Sequence, residues 1–437
     1  MEWYVSLFLI LGSLIFLLIA GFPVFLAFTI VNIVGIYFLW GGLKGLIELS
    51  NTVFSSVANF VLIPVPAFIL MGELIARSGV FQYVIETLDK WVGRVRGRLC
   101  YLAIGSATIF AALSGSAQGT TAMIGSILLP EMYRRGYKRY LAISSCFSGA
   151  LAMIIPPSAF AVILGALAEV SIGKLLISGI LPGLVLSGCY IAYVTLVTRL
   201  DPESALDYSE QVYPWKEKIA SVVKYILPFG GIMFLVTWLI FFGLCTPSES
   251  AILGIFGSVV LIALYGRLSI KIIKDSLIAT IRITVMMFMI LTGAIAFGQI
   301  LAYTGASQGL CQFVMEYAIS PVVTVIIMQI VYLVLGCFME QVSILMITLP
   351  IFMPILKMMD INTLWFCLVT LLNMGIAMKS PPFGLTLFVM QGVAPKGTTI
   401  KDIYKGAIFL IICDIIGITV VFLLPEIALF LPGLMKY

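Results

Sequence analysis

Two Pro-Pro pairs inside long apolar segments limit the fold of this chain more than any other feature. They lie in Ile155-Pro156-Pro157-Ser158 and Ser380-Pro381-Pro382-Phe383, 225 positions apart. Proline has no backbone N–H group and breaks a helix, and hydrocarbon offers no hydrogen-bond partner to the backbone groups that the break frees. Such a break persists only where it faces protein or a watery cavity. Two breaks at matching places in two halves of one chain predict a secondary transporter.

The composition is that of a membrane protein. Of the 437 residues, 62% are hydrophobic and 10% are charged, whereas soluble domains have about 45–50% apolar and about 25% charged residues. Many segments exceed the roughly 20 apolar residues that cross a bilayer. We therefore predict an all-α polytopic membrane protein. A membrane-embedded enzyme is disfavoured, because it would need a base or a metal site in the membrane, whereas histidine is absent and intramembrane acids are few. The eight cysteines are isolated from one another, which disfavours a zinc site.

The two halves of the chain have the same order of segments, so we predict two repeats, at 1–210 and 211–437. Each repeat is predicted to contain three spans, an amphipathic surface helix, a hairpin, a broken helix and a last span. The hairpins are predicted at 98–130 and 321–356. The three spans of the first repeat are expected near 4–20, 24–40 and 52–76.

Loop charge predicts that the repeats have inverted topology. Five segments hold 20 of the 25 Lys and Arg residues: 77–98, 131–139, 199–224, 266–282 and 395–405. The loops that alternate with them hold only Lys44, Lys174, Lys357 and Lys436. By the positive-inside rule the rich segments are cytoplasmic. Each hairpin then enters and leaves from one side as a re-entrant hairpin, the two hairpins enter from opposite sides, and both termini are periplasmic.

The hairpin tips offer ligands for a cation and an anion. The first tip reads Leu113-Ser114-Gly115-Ser116-Ala117-Gln118-Gly119-Thr120-Thr121 and the second reads Gly336-Cys337-Phe338-Met339-Glu340-Gln341-Val342-Ser343. Hydroxyl groups and freed carbonyl groups suit Na⁺, and the positive dipole ends of the half-helices that leave these turns suit an anion. Close packing of small residues between helices is the alternative interpretation of the first tip.

Lys379 lies directly beside the second break, outside all the charged loops. A charge at mid-membrane costs about 3 kcal/mol on insertion scales, so this side chain requires a partner. Glu340, at the facing tip, is the expected partner. A contact with a substrate carboxylate and an extension of the side chain to the membrane surface are the two alternatives.

Two other acids have structural explanations. Thr246-Pro247-Ser248-Glu249 has Thr, Pro and Glu at the N-cap, N1 and N3 spacing, which predicts a capping box. Glu73 lies four residues before Arg77 in a predicted span. We therefore expect Glu73 to form an ion pair or to extend to the surface rather than to transport protons.

These features together resemble the large membrane subunit of tripartite ATP-independent periplasmic (TRAP) transporters, the DctM-like family. The resemblance covers essentially the whole chain. The stretches that carry it are Leu113-Ser114-Gly115-Ser116, Ile127–Tyr137, Ile155-Pro156-Pro157-Ser158, Thr246-Pro247-Ser248-Glu249, Thr348–Pro354 and Pro381-Pro382-Phe383-Gly384.

The resemblance implies secondary active transport of an organic acid, a carboxylate, coupled to Na⁺ symport through an elevator mechanism. It divides each repeat into scaffold helices, an arm helix and a transport domain. In the first repeat the scaffold helices lie at 1–77, the arm helix at 78–97 and the transport domain at 98–198. In the second repeat they lie at 219–302, 303–320 and 321–430. It also implies a small four-helix membrane subunit, expected as a separate chain, a periplasmic substrate-binding protein, and a bacterial inner membrane as the location. No nucleic-acid partner is expected.

The resemblance also places the site residues at the tips and breaks. The expected substrate-binding residues are Ser114, Gly115, Ser116, Pro156, Pro157, Ser158, Glu340, Gln341, Lys379, Pro381, Pro382 and Gly384. The expected Na⁺ ligands are Ser114, Gly115, Ser116, Ile155, Pro156, Gly336 and Ser380.

The second repeat departs from the family pattern. The resemblance leads us to expect Asp at the second tip, where the chain has Glu340. It also leads us to expect the break to read Thr-Pro-Pro-Val-Gly, whereas the chain has Ser380 in place of Thr and Phe383 in place of Val. In addition, Lys379 directly precedes the break. An ammonium group beside a cation site repels Na⁺ or replaces it. We therefore hypothesise that Lys379 occupies or weakens the second sodium site.

A stand-alone carrier for dicarboxylates or other organic anions is the alternative function. It would have similar inverted repeats and would need no binding protein, so dependence of uptake on a periplasmic protein separates the two functions. A channel is disfavoured, because it would not need two hairpins that meet two broken helices.

Overall fold

The computed structural model describes residues 2–93, 95–205, 213–317 and 320–435, without the side chains of residues 112–114. Helices are the only regular elements in these ranges, as predicted. The first repeat contains α1 (Trp3–Ile19), α2 (Val24–Leu39), α3 (Leu43–Val57), α4 (Pro64–Ser78), α5 (Phe81–Trp91), α6 (Arg98–Ser114), α7 (Ala117–Arg134), α8 (Arg139–Cys146), α9 (Ala159–Leu167), α10 (Ile172–Ser178) and α11 (Ile180–Leu200). The second contains α12 (Trp215–Ser221), α13 (Leu227–Phe241), α14 (Pro247–Leu264), α15 (Ile270–Tyr303), α16 (Ala306–Glu316), α17 (Pro321–Gly336), α18 (Gln341–Met358), α19 (Thr363–Ala377), α20 (Leu385–Val393), α21 (Ile400–Leu423) and α22 (Pro425–Gly433).

Short 3₁₀ and π-helical segments lie beside several of these helices. They are the 3₁₀ turns Phe60–Leu62, Phe147–Met153 and Pro202–Ser204 and the π-helical turn Val222–Ile226. Among the described residues, seven helical segments are long and apolar enough to cross a membrane. The longest of them is α15, with 34 residues.

The two repeats share the hairpin and the broken helix. In the first repeat α6 and α7 form the hairpin, and the helix broken at the first Pro pair consists of α8, the turn Phe147–Met153 and α9. In the second repeat α17 and α18 form the hairpin, and α19 and α20 are the two parts of the broken helix. The predicted arm helices correspond to α5 and α16, and the last spans to α11 and α21.

The third span of the first repeat, predicted near 52–76, is interrupted, and the segment that is long and apolar enough to cross a membrane is Phe60–Ser78. The chain forms α3, then a 3₁₀ turn that Asn59 caps by accepting a hydrogen bond from the Val61 N–H group, and then α4. Pro64 starts α4, where its missing N–H group costs nothing. The equivalent segment of the second repeat has no proline and forms the single helix α15.

The helices of the predicted scaffold form two equivalent crossings. α2 packs against α15, and α14 packs against α4. In the first crossing the buried Asn32 side chain donates a hydrogen bond to the Gly293 carbonyl group over 2.7 Å, and Phe28 packs against Gly293. In the second crossing Gly254 packs against Met71. Each crossing therefore depends on a glycine that lets two helices approach closely.

We expect Gly293→Ala to destabilise the scaffold. Its new methyl group would lie 2.6 Å from the Phe28 Cβ atom, and overpacking of this kind costs about 1–3 kcal/mol. Gly12→Ala is the matched control, because Gly12 is also helical and an alanine methyl group there would have no neighbouring atom within 4 Å. Thermal unfolding of the purified protein in detergent measures the difference. Equal melting temperatures for the two variants would contradict this packing.

Candidate functional site

The first hairpin tip is a tight turn between two helices. α6 ends at Ser114, and Gly115 adopts the left-handed backbone conformation with φ of +58°. Ser116 caps α7, and its hydroxyl oxygen accepts a hydrogen bond from the Gly119 N–H group over 3.1 Å. The side chain of Ser114, a predicted ligand, lies outside the described residues. The tip therefore presents the N-terminus of α7, as the sequence predicts.

The second hairpin tip is capped by an acid. The Glu340 carboxylate accepts hydrogen bonds from the N–H groups of Val342 at 3.0 Å and Ser343 at 3.2 Å, both through Oε2. Glu340 is therefore the N-cap of α18. A carboxylate at this position also interacts favourably with the positive end of the helix dipole.

Both broken helices use a hydroxyl group to satisfy a freed carbonyl group. In the first break the Ser158 hydroxyl donates to the Met153 carbonyl group over 2.9 Å and accepts from the Ala161 N–H group. In the second break the Thr386 hydroxyl donates to the Met378 carbonyl group over 2.8 Å. Met153 and Met378 are 225 positions apart, so the two breaks satisfy equivalent carbonyl groups by hydroxyls from different positions.

Each tip packs directly onto the break of its own repeat. A methyl group on Gly115 would lie 3.3 Å from the Pro157 carbonyl oxygen and from the Ala159 nitrogen. A methyl group on Gly336 would overlap the Ala377 Cβ atom. The glycines thus allow tip and break to form one surface in each repeat, as the sequence analysis predicts.

A cavity of about 280 Å³ lies between the two tips, the start of α9 and the helices α4 and α15. On the side of the hairpins and broken helices, the lining residues are Phe110, Gly115, Ser116, Ala117, Gln118, Gly119, Met153, Ala159, Phe160, Ile163, Glu340, Gln341, Val342 and Met378. The scaffold side is lined by Ile69, Gly72, Glu73, Ala76, Ile283, Met286 and Met287, from α4 and α15. Neither lysine nor arginine occurs among these described lining residues.

Four of the predicted site residues line this cavity, namely Gly115, Ser116, Glu340 and Gln341. The predicted residues of the breaks do not line it but form the backbone behind the tips: Ile155, Pro156, Pro157, Ser158, Ser380, Pro381, Pro382 and Gly384. Gly336 packs at the base of the second tip. The breaks contribute to the wall through their neighbours Met153, Ala159 and Met378.

The two breaks differ in which carbonyl oxygens are available to bind a cation. Pro157 and Pro382 occupy equivalent positions, and the Pro382 carbonyl oxygen accepts a hydrogen bond from the Tyr404 hydroxyl over 2.8 Å. The Pro157 carbonyl oxygen lies beside Gly115 and receives no hydrogen bond from the described part of the chain. Oxygen atoms of this kind suit Na⁺, so the first break fits a sodium site better than the second.

The predicted ion pair between Lys379 and Glu340 is wrong. The Lys379 ammonium group contacts the Asp414 carboxylate over 2.5 Å, and both side chains are buried, with 1% and 3% exposure. The Tyr190 hydroxyl donates to the other oxygen of Asp414 and lies 3.3 Å from the Lys379 Nζ atom. The Lys379 side chain therefore extends toward α11 and α21 rather than toward the tip, because the counter-charge lies there.

We call these three residues, Lys379, Asp414 and Tyr190, the Lys379 cluster. Removing one partner of a buried ion pair costs about 3–5 kcal/mol, because the other charge is left buried and uncompensated. Lys379 does not line the cavity, which argues against its predicted contact with a substrate carboxylate. The hypothesis that Lys379 occupies or weakens a sodium site stays a prediction, although Asp414 neutralises the ammonium charge.

The sequence analysis missed Asp414 and Tyr190, and a signal for one of them was present. Asp414 is the only acid between Ile403 and Leu423 in the last predicted span, and an acid at that depth needs a counter-charge. Tyr190 lies 224 positions earlier, close to the repeat offset. The last span therefore offered a second acid, besides the one at the facing tip, as a partner for Lys379.

The structural explanations for the two other acids are confirmed. Glu249 and Thr246 form the predicted capping box at the start of α14. Glu73 pairs with Arg77 over 2.7 Å. Glu73 also lines the cavity, and Arg77 of the same helix compensates its negative charge.

Comparison with known proteins identifies the family of this chain. Residues 11–427 match the family described as "Tripartite ATP-independent periplasmic transporter, DctM component". The chain belongs to this family. Membership confirms the resemblance drawn from the sequence, and it agrees with the prediction that the DctM-family chain is not an enzyme, because its relatives are named as permease components.

Three relatives show how far the similarity of this DctM-family chain extends. The C4-dicarboxylate TRAP transporter large permease protein DctM of Pseudomonas aeruginosa is 30% identical, over 88% of this chain and 89% of the relative. The ectoine TRAP transporter large permease protein TeaC of Halomonas elongata is 26% identical, over 98% and 99%. The isethionate TRAP transporter permease protein DctMQ of Oleidesulfovibrio alaskensis is 28% identical, over 87% of this chain and 59% of the relative.

A solved structure supports the fold class. The YdaH transporter of Alcanivorax borkumensis superposes with a TM-score of 0.58 at 14% identity, over 87% of this chain and 88% of that chain. At this identity the likeness concerns the fold alone. The predicted class is thereby confirmed: the DctM-family chain is an all-α polytopic membrane protein with two inverted repeats, each with a re-entrant hairpin and a broken helix.

We expect Gly115→Ala to separate the first tip from its break and to reduce uptake of substrate. The alanine would be strained at a positive φ, by about 1–2 kcal/mol, and its methyl group would press on the Pro157 carbonyl group. Gly305→Ala is the matched control, because Gly305 has φ of +72° and an alanine methyl group there would have no neighbouring atom within 4 Å. Uptake by both variants at equal reconstituted amounts tests this role, and equal loss in both would contradict it.

Proposed function

We propose that this chain carries an organic acid with a carboxylate group across the bacterial inner membrane, coupled to Na⁺ symport. The observation that supports the proposal is the cavity between the two hairpin tips, into which the N-terminal residues of α7 and α18 project. Sites of this construction occur at the midplane of secondary transporters with inverted repeats. The relatives named for C4-dicarboxylates and isethionate are consistent with an anionic substrate.

The charge of the cavity supports coupling to a cation. Among the lining residues that the structure describes, Glu73 and Glu340 are acidic and none is basic. Arg77 pairs with Glu73, so Glu340 is the carboxylate that remains available to a cation. A carboxylate substrate would therefore meet positive potential only from helix N-termini and from co-transported Na⁺. The ion is cargo in this proposal, and the Pro157 carbonyl group beside the first tip is the ligand that we favour.

The position of the cavity supports an elevator mechanism. Its walls come from two sets of helices, the hairpins and broken helices on one side and α4 and α15 on the other. The scaffold wall is mainly apolar, with Ile69, Ile283 and Met287 among its residues. An apolar wall makes few directional bonds with the tips, so the transport domain can slide along it without breaking a hydrogen-bond network.

The partners follow from the family. We infer that a small four-helix membrane subunit, as a separate chain, and a periplasmic substrate-binding protein act with this chain, and that both of its termini are periplasmic. Two relatives that this chain covers over 89% and 99% of their length are each named a large permease protein, which supports a separate small subunit.

Uptake into proteoliposomes tests the proposal. The chain and its small membrane partner are reconstituted, an inward Na⁺ gradient is applied, and the labelled ligand of the cognate binding protein is supplied with and without that protein. We expect uptake only with both the gradient and the binding protein. Equal uptake without the protein would indicate a stand-alone carrier and would contradict the tripartite function.

We expect Glu340→Gln to weaken Na⁺ coupling without unfolding the second tip. Glutamine keeps an oxygen that can cap α18 but removes the negative charge from the cavity wall. The Na⁺ concentration for half-maximal uptake should rise about tenfold, a loss of about 1.4 kcal/mol. Glu249→Gln, at the start of α14, is the control. An unchanged Na⁺ dependence in Glu340→Gln would mean that Glu340 only caps α18 and takes no part in Na⁺ coupling.

A further inference from the structure

The Lys379 cluster lies where the two repeats meet. Tyr190 on α11 and Asp414 on α21 occupy nearly equivalent positions, and these two last spans pack against each other. Lys379 enters this contact from the second break. Its equivalent in the first repeat is Ile154, which is buried and apolar. The cluster is therefore an asymmetric feature, with a charge pair in one repeat and hydrocarbon in the other.

Both last spans anchor the break of their own repeat, but by different means. In the second repeat the Tyr404 hydroxyl of α21 bonds to the Pro382 carbonyl group, in addition to the contact in the Lys379 cluster. In the first repeat the position equivalent to Tyr404 is Gly179, and a methyl group there would overlap the Ile154 carbonyl oxygen. The first break is thus held by close packing and the second by polar side chains.

The Lys379 cluster is connected to the cavity by the backbone next to it. Met378 precedes Lys379 and lines the cavity. The Thr386 hydroxyl and N–H groups both bind the Met378 carbonyl group. Ala377 packs on Gly336 at the base of the second tip. A shift of Lys379 would therefore move a wall residue of the cavity and the tip that carries Glu340.

We propose that Lys379 is a positioning residue, whose ammonium group, held by Asp414 and Tyr190, fixes the second break to both last spans and thereby sets the shape of the second-repeat half of the cavity. The effect on substrate affinity rests on the proposed function. The effect on the second tip does not, because it follows from the contacts alone.

The first test measures stability and the packing of the second tip, and it needs no substrate. Lys379→Met, Asp414→Asn and the double variant are prepared with Cys337 as the only cysteine, and Ile154→Met is the control in the first repeat. We expect each single variant to have a lower melting temperature in detergent than the parent, because it leaves one buried charge unpaired. We expect the double variant to recover at least about half of that loss in melting temperature, because no unpaired charge remains buried. Single variants with the parent melting temperature would overturn the proposal.

The labelling rate of Cys337 separates positioning from simple stabilisation. N-ethylmaleimide should label Cys337 about tenfold faster in the double variant than in the parent, because the tether of the second break is still missing although the charges are balanced. Ile154→Met should leave the rate unchanged. A parent-like rate in the double variant would mean that the cluster only balances charge, and the proposal would be wrong.

Uptake measurements then test the consequence for transport. We expect the double variant to have a KM for substrate raised about tenfold, with the number of Na⁺ ions per substrate unchanged. A gain of one Na⁺ per substrate would identify Lys379 as a resident cation in place of sodium and would overturn the positioning role. If the parent protein takes up no organic acid, the proposed function fails, while melting temperature and labelling still decide the role of the cluster.

Discussion

Hydrocarbon supplies no hydrogen-bond partner, so a helix broken at a proline pair must have its freed backbone groups satisfied by protein. The Ser158 and Thr386 hydroxyls satisfy the carbonyl groups that precede the two breaks. The glycines of the tips bring the hairpins against the same segments. The cavity exists because these contacts leave two half-helix N-termini at its wall, and the rest of the structure holds them there.

The two repeats reach this arrangement by different local solutions. The scaffold of the first repeat is interrupted at Pro64, whereas α15 is continuous. The first break leaves the Pro157 carbonyl group beside its tip, whereas Tyr404 engages the equivalent group of Pro382. Repeats with one architecture have therefore diverged in the polar groups that they present.

Much of the fold could be predicted because hydropathy, proline and charge act locally along the chain. The hairpins, the broken helices and the capping box at Glu249 follow from patterns of a few residues each. The partner of Lys379 could not be found in that way, because Asp414 is distant in sequence and the choice among acids depends on how the last spans pack. The interruption at residues 58–63 was missed because high hydropathy hid the effect of Pro64.

Under the proposed elevator mechanism, the cavity between the tips opens alternately to the two sides of the membrane. Gln118 lines that cavity, so Gln118→Cys in a background without the native cysteines reports its exposure. A membrane-impermeant thiol reagent is applied from either side of oriented proteoliposomes, with and without substrate and Na⁺. We expect labelling from both sides, and slower labelling when substrate and Na⁺ are bound. Labelling from one side only, under every condition, would contradict it.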